Sequence, residues 1–464
     1  MAARPLVARQ INQRLRSLIQ EASMSNSGLA RQVNVLGEEQ GLDLRYDKTS
    51  VSRWLRGQRP RGRVPAIIAE ALSSKLGRTV STEEIGMANG NSVTCGVGLH
   101  FAATVEDTLA QVRELWHMDA ESRGLLSRSA MTASALVEPS RDWLVSSSDP
   151  QVARSRRLGP RVGMTDVELV RATTQALVEL DHRVGSGHVR PVVVACLSSV
   201  LSGLMDGSYG ETTGRHLFAA AARLTELAGY TALDTGQPGL AQRYYIQALR
   251  LAQAADDRGY GGYVLAAGLS HLALGFGCSR EAVQLARAAQ EGTRGQAPLA
   301  ARAMFYVTEA RGYALLGDAR TCGILMDKAT EAMTHVDPDN TPDWIAHFDR
   351  AYLADELAHC YRDLKQPRLA ARRAEEALAR HAQTRVRRRT IDLLLLASAL
   401  VQAGDIEDAC QVAKQAITLL ARLRSTLGER YLETFRNELA RCSDADPVRE
   451  FDALVQESGM RVPL

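Results

Sequence analysis

Five inter-helix turns recur at near-regular spacing between residues 213 and 425, and they leave the chain few architectures to choose from. They centre on Gly236, Gly277, Gly317, Gln366 and Gly404, at intervals of 41, 40, 49 and 38 residues. Five positions after each turn stands a small residue: Ala241, Ala282, Cys322, Ala371 and Ala409. Twelve after stand Ala248, Ala289, Ala329, Leu378 and Ala416, and seven before stand Gly229, Ser270, Ala310, His359 and Ala397. Small side chains at fixed offsets let two antiparallel helices, and then the next pair, approach closely, as a stacked helical solenoid requires. His359 and Leu378 depart from the pattern, so the fourth unit is the irregular one. Residues after Leu427, with Tyr431-Leu432-Glu433-Thr434-Phe435, read as a helix pair closing the array.

Residues 1–88 have a different character. They hold 14 Lys+Arg against 8 Asp+Glu, a net +6, while the remainder carries −3; a basic end on a near-neutral body is the footprint of a nucleic-acid-binding segment. Within it lies Lys48-Thr49-Ser50-Val51-Ser52-Arg53-Trp54-Leu55-Arg56-Gly57. Val51, Trp54 and Leu55 share one face of a short helix by their i, i+3, i+4 spacing, and Gly57 suits its C-terminal cap. The opposite face carries Thr49, Ser52, Arg53 and Arg56, hydroxyls and guanidinium forks that match base edges in a major groove. Lys48 and Ser50 flank that face and are expected at phosphates. Arg59, Arg61 and Arg63 follow on a loop where they either contact phosphate or remain solvated. Around this helix, Leu15, Leu18 and Ile19 form one buried face, Leu29, Ala30 and Val33 a second, and Ile67, Ile68, Ala71, Leu72 and Leu76 a third. Ser25 and Ser27 offer capping hydroxyls, and Ser81-Thr82-Glu83-Glu84 reads as a capping box.

Short helices with a small-residue start to the second and an Arg-Trp-Leu-x-Gly third resemble the Cro/C1-type (XRE-like) helix-turn-helix domain. Leu29-Ala30-Arg31-Gln32-Val33-Asn34, Ser52-Arg53-Trp54-Leu55-Arg56-Gly57 and Pro65-Ala66-Ile67-Ile68 are similar to actinobacterial NsdA-like regulators. The polar insertion Gly37–Asp47 is long for a phage-type domain. The repeat spacing resembles the tetratricopeptide repeat, with longer units than usual. The expected fold class is therefore all-α, an N-terminal helix-turn-helix domain followed by a tetratricopeptide-like helical solenoid. Expected boundaries are 1–88 for the helix-turn-helix domain and 89–163 for a linker with a helical segment. A helical adaptor over 164–212, repeats over 213–425 and capping helices over 426–464 complete the chain. The resemblance further implies transcription regulation in development, secondary metabolism and antibiotic production.

Several functional classes are disfavoured. The chain contains no phosphate loop, His-Glu-x-x-His, Gly-x-Ser-x-Gly or paired Cys/His cluster, so an enzyme is not expected, nor a cofactor or metal. Seven cysteines stand far apart and read as buried free thiols. No run approaches the ~18 apolar residues of a membrane span, and Met1-Ala2-Ala3-Arg4-Pro5 leads into an amphipathic helix without a signal-type apolar region. A cytoplasmic protein without a membrane partner is expected. The segment from Glu138 to Gly163, with Arg154, Arg156 and Arg157, reads as a flexible break. Thr384-Arg385-Val386-Arg387-Arg388-Arg389 reads as a solvated or subunit-contacting face.

Counting back thirteen, ten, six and three positions from each turn gives the concave face of the array, including Arg223, Glu226, Tyr230, His271, Arg311, Glu356 and Asp363. Such groups either hold a peptide, small-molecule or protein effector or satisfy one another internally. Peptide-sensing proteins of the resembled architecture often use groove asparagines, and Asn340 is the only asparagine between 213 and 425. The reading that follows is a sequence-specific DNA-binding regulator of double-stranded DNA, dimeric because one small helix-turn-helix reads too few bases and a palindromic operator remedies that. The alternative is a repeat scaffold for partner proteins with weak DNA binding.

Overall fold

The computed structural model describes residues 12–22, 24–39, 42, 44–58, 60, 64–76, 80, 84–87, 96–121, 126–127, 129–154 and 160–458. Arg59, Arg61, Arg63 and Ser81-Thr82-Glu83 lie outside the described residues. The fold is all-α; among the described residues the only β pairing is two isolated bridges, Arg154–Tyr209 and Arg161–Ser208. The chain divides into two compact units, Met1–Gly96 and Val97–Leu464.

In the first unit, α1 (Gln13–Glu21), α2 (Asn26–Glu39), α3 (Lys48–Leu55) and α4 (Val64–Leu76) surround one core. Leu15, Leu29, Val33, Val51, Ile68 and Leu72 are fully buried in it, with Trp54 at 3% exposure. Asn12 caps α1 by accepting from Leu15 N at 3.1 Å, and its amide donates to Ile85 O at 2.8 Å. Its backbone N–H bonds Leu55 O at 2.9 Å. One residue thus ties the start of α1 to the end of α3 and to the turn at Gly86.

In the second unit a helical solenoid is built from antiparallel pairs. Helices α5 (Val105–Glu121) and α6 (Ser134–Val145) pack on later helices of the unit, and the pairs begin with α7 (Met164–Val184) and α8 (Ser186–Met205), followed by α9 (Glu211–Asp234) and α10 (Pro238–Ala254). There follow α11 (258–275, with a π-helical stretch Val264–Ser270) and α12 (Ser279–Gly292), then α13 (Leu299–Leu315) and α14 (Ala319–Thr334). Two further pairs, α15 (Arg350–Asp363) with α16 (Pro367–Arg380) and α17 (Val386–Ala403) with α18 (Ile406–Leu420), are followed by α19 (Thr426–Leu439), which packs on α17, and α20 (Asp446–Glu457), which packs on α18.

The turns expected from the repeat adopt left-handed backbone at Gly236, Gly277, Gly317 and Gly404. At the fourth unit the left-handed residue is Lys365 (φ 58), and Gln366 is the N-cap of α16. The register there is one residue earlier than expected. Counted from Lys365, the three small positions become Ala358, Ala370 and Ala377, all with 0% exposure. The irregularity at His359 and Leu378 vanishes: a lysine had replaced the glycine that marks the other turns.

Close approach is paid for by missing side chains. A Cβ on Gly229 or on Gly268 would stand 2.8 Å from the Tyr245 ring, which lies between the two. Gly229→Ala is therefore expected to lower stability by about 1–3 kcal/mol, the usual cost of overpacking, as a lower urea midpoint with unchanged slope.

The segment expected as a linker is part of the solenoid from Val97 onward. Arg243 donates to Val97 O at 2.8 Å, Gln247 to Gly98 O and His100 O at 3.0 Å, and Arg250 to Ala102 O at 2.6 Å. The segment after α6, expected to be a flexible break, is also held. Arg250 makes a bidentate pair with Asp149 at 2.7 and 2.9 Å, and Gln253 donates to Ser147 O at 2.7 Å. Arg243, Gln247, Arg250 and Gln253 are buried polar residues on α10, whose backbone-directed bonds explain why two loops lie along it.

Among the described residues α8 alone is long and apolar enough, by length and composition, to cross a bilayer. That differs from the reading of apolar runs, because serines and glycines interrupt the run without lowering mean hydropathy below that of a span. Val189, Val193, Leu197, Leu201 and Met205 along one side have 0% exposure and join the solenoid core.

Candidate nucleic-acid face and solenoid cavity

The first candidate is α3. Asp47 caps it, its carboxylate accepting from Ser50 N at 2.8 Å and Ser50 Oγ at 2.9 Å. These two bonds hold the Asp47 carboxyl below its usual range. Val51 and Trp54 face inward, and the Trp54 ring meets Tyr46 edge-on at 5.0 Å. Asn34 of α2 donates to Tyr46 O at 3.0 Å and accepts from Tyr46 N at 2.9 Å, so the chain is fixed to α2 just before α3 begins despite the long insertion. Lys48, Thr49, Arg53 and Arg56 are exposed on the other side, with Ser52 half-buried between them. Ser52 donates to Lys48 O at 2.9 Å and Arg56 Nε to Ser52 O at 3.2 Å. Ser50 is a correction: it is 6% exposed, bonded to Asp47 and 3.3 Å from Arg53 Nη2, so it positions the helix start and cannot flank a phosphate. Ser25 accepts from Gly28 N at 3.0 Å, which caps α2.

The second candidate is a cavity of about 430 Å³ in the second unit, lined by α7, α9, α11, the loop before α15 and the first turns of α15 and α17. Arg223, Glu226 and Tyr230 are on its wall as the repeat register implies, and so are Tyr263, Trp344 and Tyr352. Tyr352 takes the position thirteen before Lys365, so the corrected register would have found it. His271, Arg311 and Glu356 are not on an open groove. Glu356, 1% exposed, accepts from Arg311 at 2.9 Å and contacts His271 Nε2 at 3.2 Å. Arg311, with its charge beside the carboxylate, holds Glu356 well below its usual range against the opposing effect of burial. Asp363 pairs with its neighbour Arg362 at 2.6 Å. These four residues form internal polar networks.

The basic run that was expected to be solvated turns inward and closes the solenoid. Arg387, 5% exposed, donates to Asp181 Oδ2 at 2.5 Å and Asp234 Oδ2 at 3.0 Å, and lies 4.7 Å over the Tyr230 ring. Ser425 Oγ donates to Asp234 Oδ1 at 2.5 Å, and Gly187 N to Arg424 O at 3.0 Å. Helices α7 to α9 and the last repeats of the unit therefore meet at one buried cluster, whose Asp181 and Arg387 also line the cavity. One guanidinium cannot neutralise two buried carboxylates: Asp181 is lowered, the Arg387 charge overcoming the desolvation that opposes it, whereas burial pushes Asp234 up. Arg388 donates to Asp355 Oδ2 at 2.7 Å and Tyr352 OH at 2.5 Å. Within the cavity, burial pushes Glu226 up to about 8 and His347 down to about 3, and burial followed by the Arg387 charge pushes His182 down to about 4. Among the described residues no group of three or more His, Cys, Asp or Glu could hold a metal ion.

A family model described as the SP15 N-terminal domain matches residues 15–88, a segment that begins within α1 and includes α2 to α4. No curated protein matches the chain.

Proposed function

We propose that the chain is a sequence-specific regulator that binds double-stranded DNA through α3 and senses an effector in the solenoid cavity. The observation that supports the DNA half is the two-sidedness of α3: Val51 and Trp54 are buried while Lys48, Thr49, Arg53 and Arg56 are exposed together. Arg53 and Arg56 read base edges, Thr49 and Ser52 add hydroxyl contacts, and Lys48 takes a phosphate. A second copy of the chain supplies the other half-site. Occupancy of the cavity acts on Asp181 and Arg387, which join α7 to α17 across the solenoid, and a change in curvature alters the spacing of paired DNA units. The NsdA-like resemblance supports a role for such a regulator in development and secondary metabolism.

The test is selection of binding sites from random duplex DNA by the full chain and by an Arg53→Ala/Arg56→Ala variant. A palindromic motif is expected for the parent, with each arginine contributing about 1–3 kcal/mol of discrimination at its base pair. Loss of the motif in the variant supports direct readout. Equal binding by both proteins, weakening uniformly with salt across sequences, would leave only phosphate contact and favour the protein scaffold.

A further inference from the structure

Two cavity residues of opposite charge lack partners. Arg223 and Glu226, one turn apart on α9, are half-buried and line the wall, yet no ion pair joins them and neither has a hydrogen bond among the described residues. Among the described residues the one partner group of the Arg223 guanidinium is the Tyr260 ring, 5.7 Å away. The other cavity charges are largely taken: Arg387 is paired with Asp181, and Arg171 with Glu168 at 2.7 Å. An ionised group without a partner in a desolvated site is costly, and a site that holds one cationic and one acidic side chain, each unpaired, is complementary to a molecule carrying both charges. Beside them Tyr263 stacks on Tyr260 at 5.4 Å, and Trp344 stands edge-on to both at 5.5 and 5.6 Å, an apolar wall that ends near Glu226. The volume of about 430 Å³ is at the lower end of small-molecule sites, roughly 300–1,000 Å³, which suits a single amino acid better than an extended peptide.

We infer that the cavity binds a small zwitterion of the amino-acid class, its carboxylate on Arg223, its ammonium group on Glu226 and its side chain against Tyr263 and Trp344. The inference rests on the reading of this cavity as the effector site. The titratable groups that act on the Glu226 carboxyl are Asp181 from α7, Tyr245 from α10 and Tyr260 and Tyr263 from α11. With its carboxyl pushed up to about 8, Glu226 is mostly protonated at neutral pH in the empty site, so an arriving ammonium group displaces a proton.

The experiment is thermal unfolding of the full chain with each protein L-amino acid in turn, followed by calorimetry in buffers of different ionisation enthalpy. At least one free amino acid is expected to raise Tm. Its carboxamide and its N-acetyl derivative each lose affinity by about tenfold or more, because the first brings no carboxylate to Arg223 and the second no ammonium group to Glu226. Arg223→Gln is expected to stop discriminating against the carboxamide, and Glu226→Gln against the N-acetyl derivative, while only the parent and Arg223→Gln release a proton on binding. No Tm shift with any amino acid, or derivatives that bind as tightly as the free molecule, overturns the inference. Binding that passes these tests but leaves DNA affinity unchanged supports the ligand class and sinks the effector role, since coupling must be reciprocal.

Discussion

Arg387→Ala is expected to destabilise the second unit by about 3–5 kcal/mol, the usual loss when one partner of a buried ion pair is removed. The substitution leaves Asp181 and Asp234, 2% and 1% exposed, facing each other without the cation between them. It also opens the seam where α17 meets α7 and where Ser425 and Thr426 bond Asp234. Urea unfolding should show a lower midpoint, and limited proteolysis should cut first near residues 184–187 or 421–426. Replacing all three charges, with Arg387→Met, Asp181→Asn and Asp234→Asn, should cost less than the single change, because no buried charge is then left unpaired. A single variant that unfolds at the parent's midpoint would show that this cluster does not hold the solenoid closed.

The second large effect is a pair of opposite pH dependences within one cavity. His347 stays neutral in the folded chain down to about 3, whereas the unfolded chain gains a proton near the ordinary histidine value of 6.5. Between those values the unfolded state binds more protons, so stability contributed by neutral His347 is complete above about pH 6.5 and falls as pH falls. Glu226 behaves in reverse. Folded, it keeps its proton up to about 8, while unfolded it loses it near 4.5, so its contribution falls as pH rises through that window. Each slope is at most about 1.4 kcal/mol per pH unit, reduced by whatever water enters the cavity. His347→Asn should therefore gain on the parent as pH drops from 6.5 towards 4, and Glu226→Gln should gain as pH rises from 5 to 8. Parallel curves for parent and variant in either window would show that the group is solvated in the folded state.

The parts of the protein that were readable early are those governed by neighbours in the chain. Val51 and Trp54 fall on one face of α3 and the two arginines on the other because helical periodicity alone sorts them. Ser50 lay one position outside what periodicity can resolve, since it is buried by its bond to Asp47 and not by an apolar side chain. In the repeats, small residues at fixed offsets announced the close helix pairs. The fourth turn escapes the glycine pattern because Lys365 adopts the left-handed conformation that glycine normally supplies, and one residue of slip exchanges Tyr352 for a neighbour and Ala377 for Leu378.

From the sequence alone came the all-α class, the helix pairs, the turn positions to within one residue and the amphipathic helix at the head of the chain. Each follows from propensities and spacings acting over a few tens of residues. Only the tertiary structure decided that the solenoid closes on itself, that the Arg387 run points inward, and that His271, Arg311 and Glu356 satisfy one another. Arg387 and Asp181 are 206 positions apart. A charge in a basic run carries no mark of which distant carboxylate will neutralise it until the stacking of successive helix pairs brings the two together and removes the water between them.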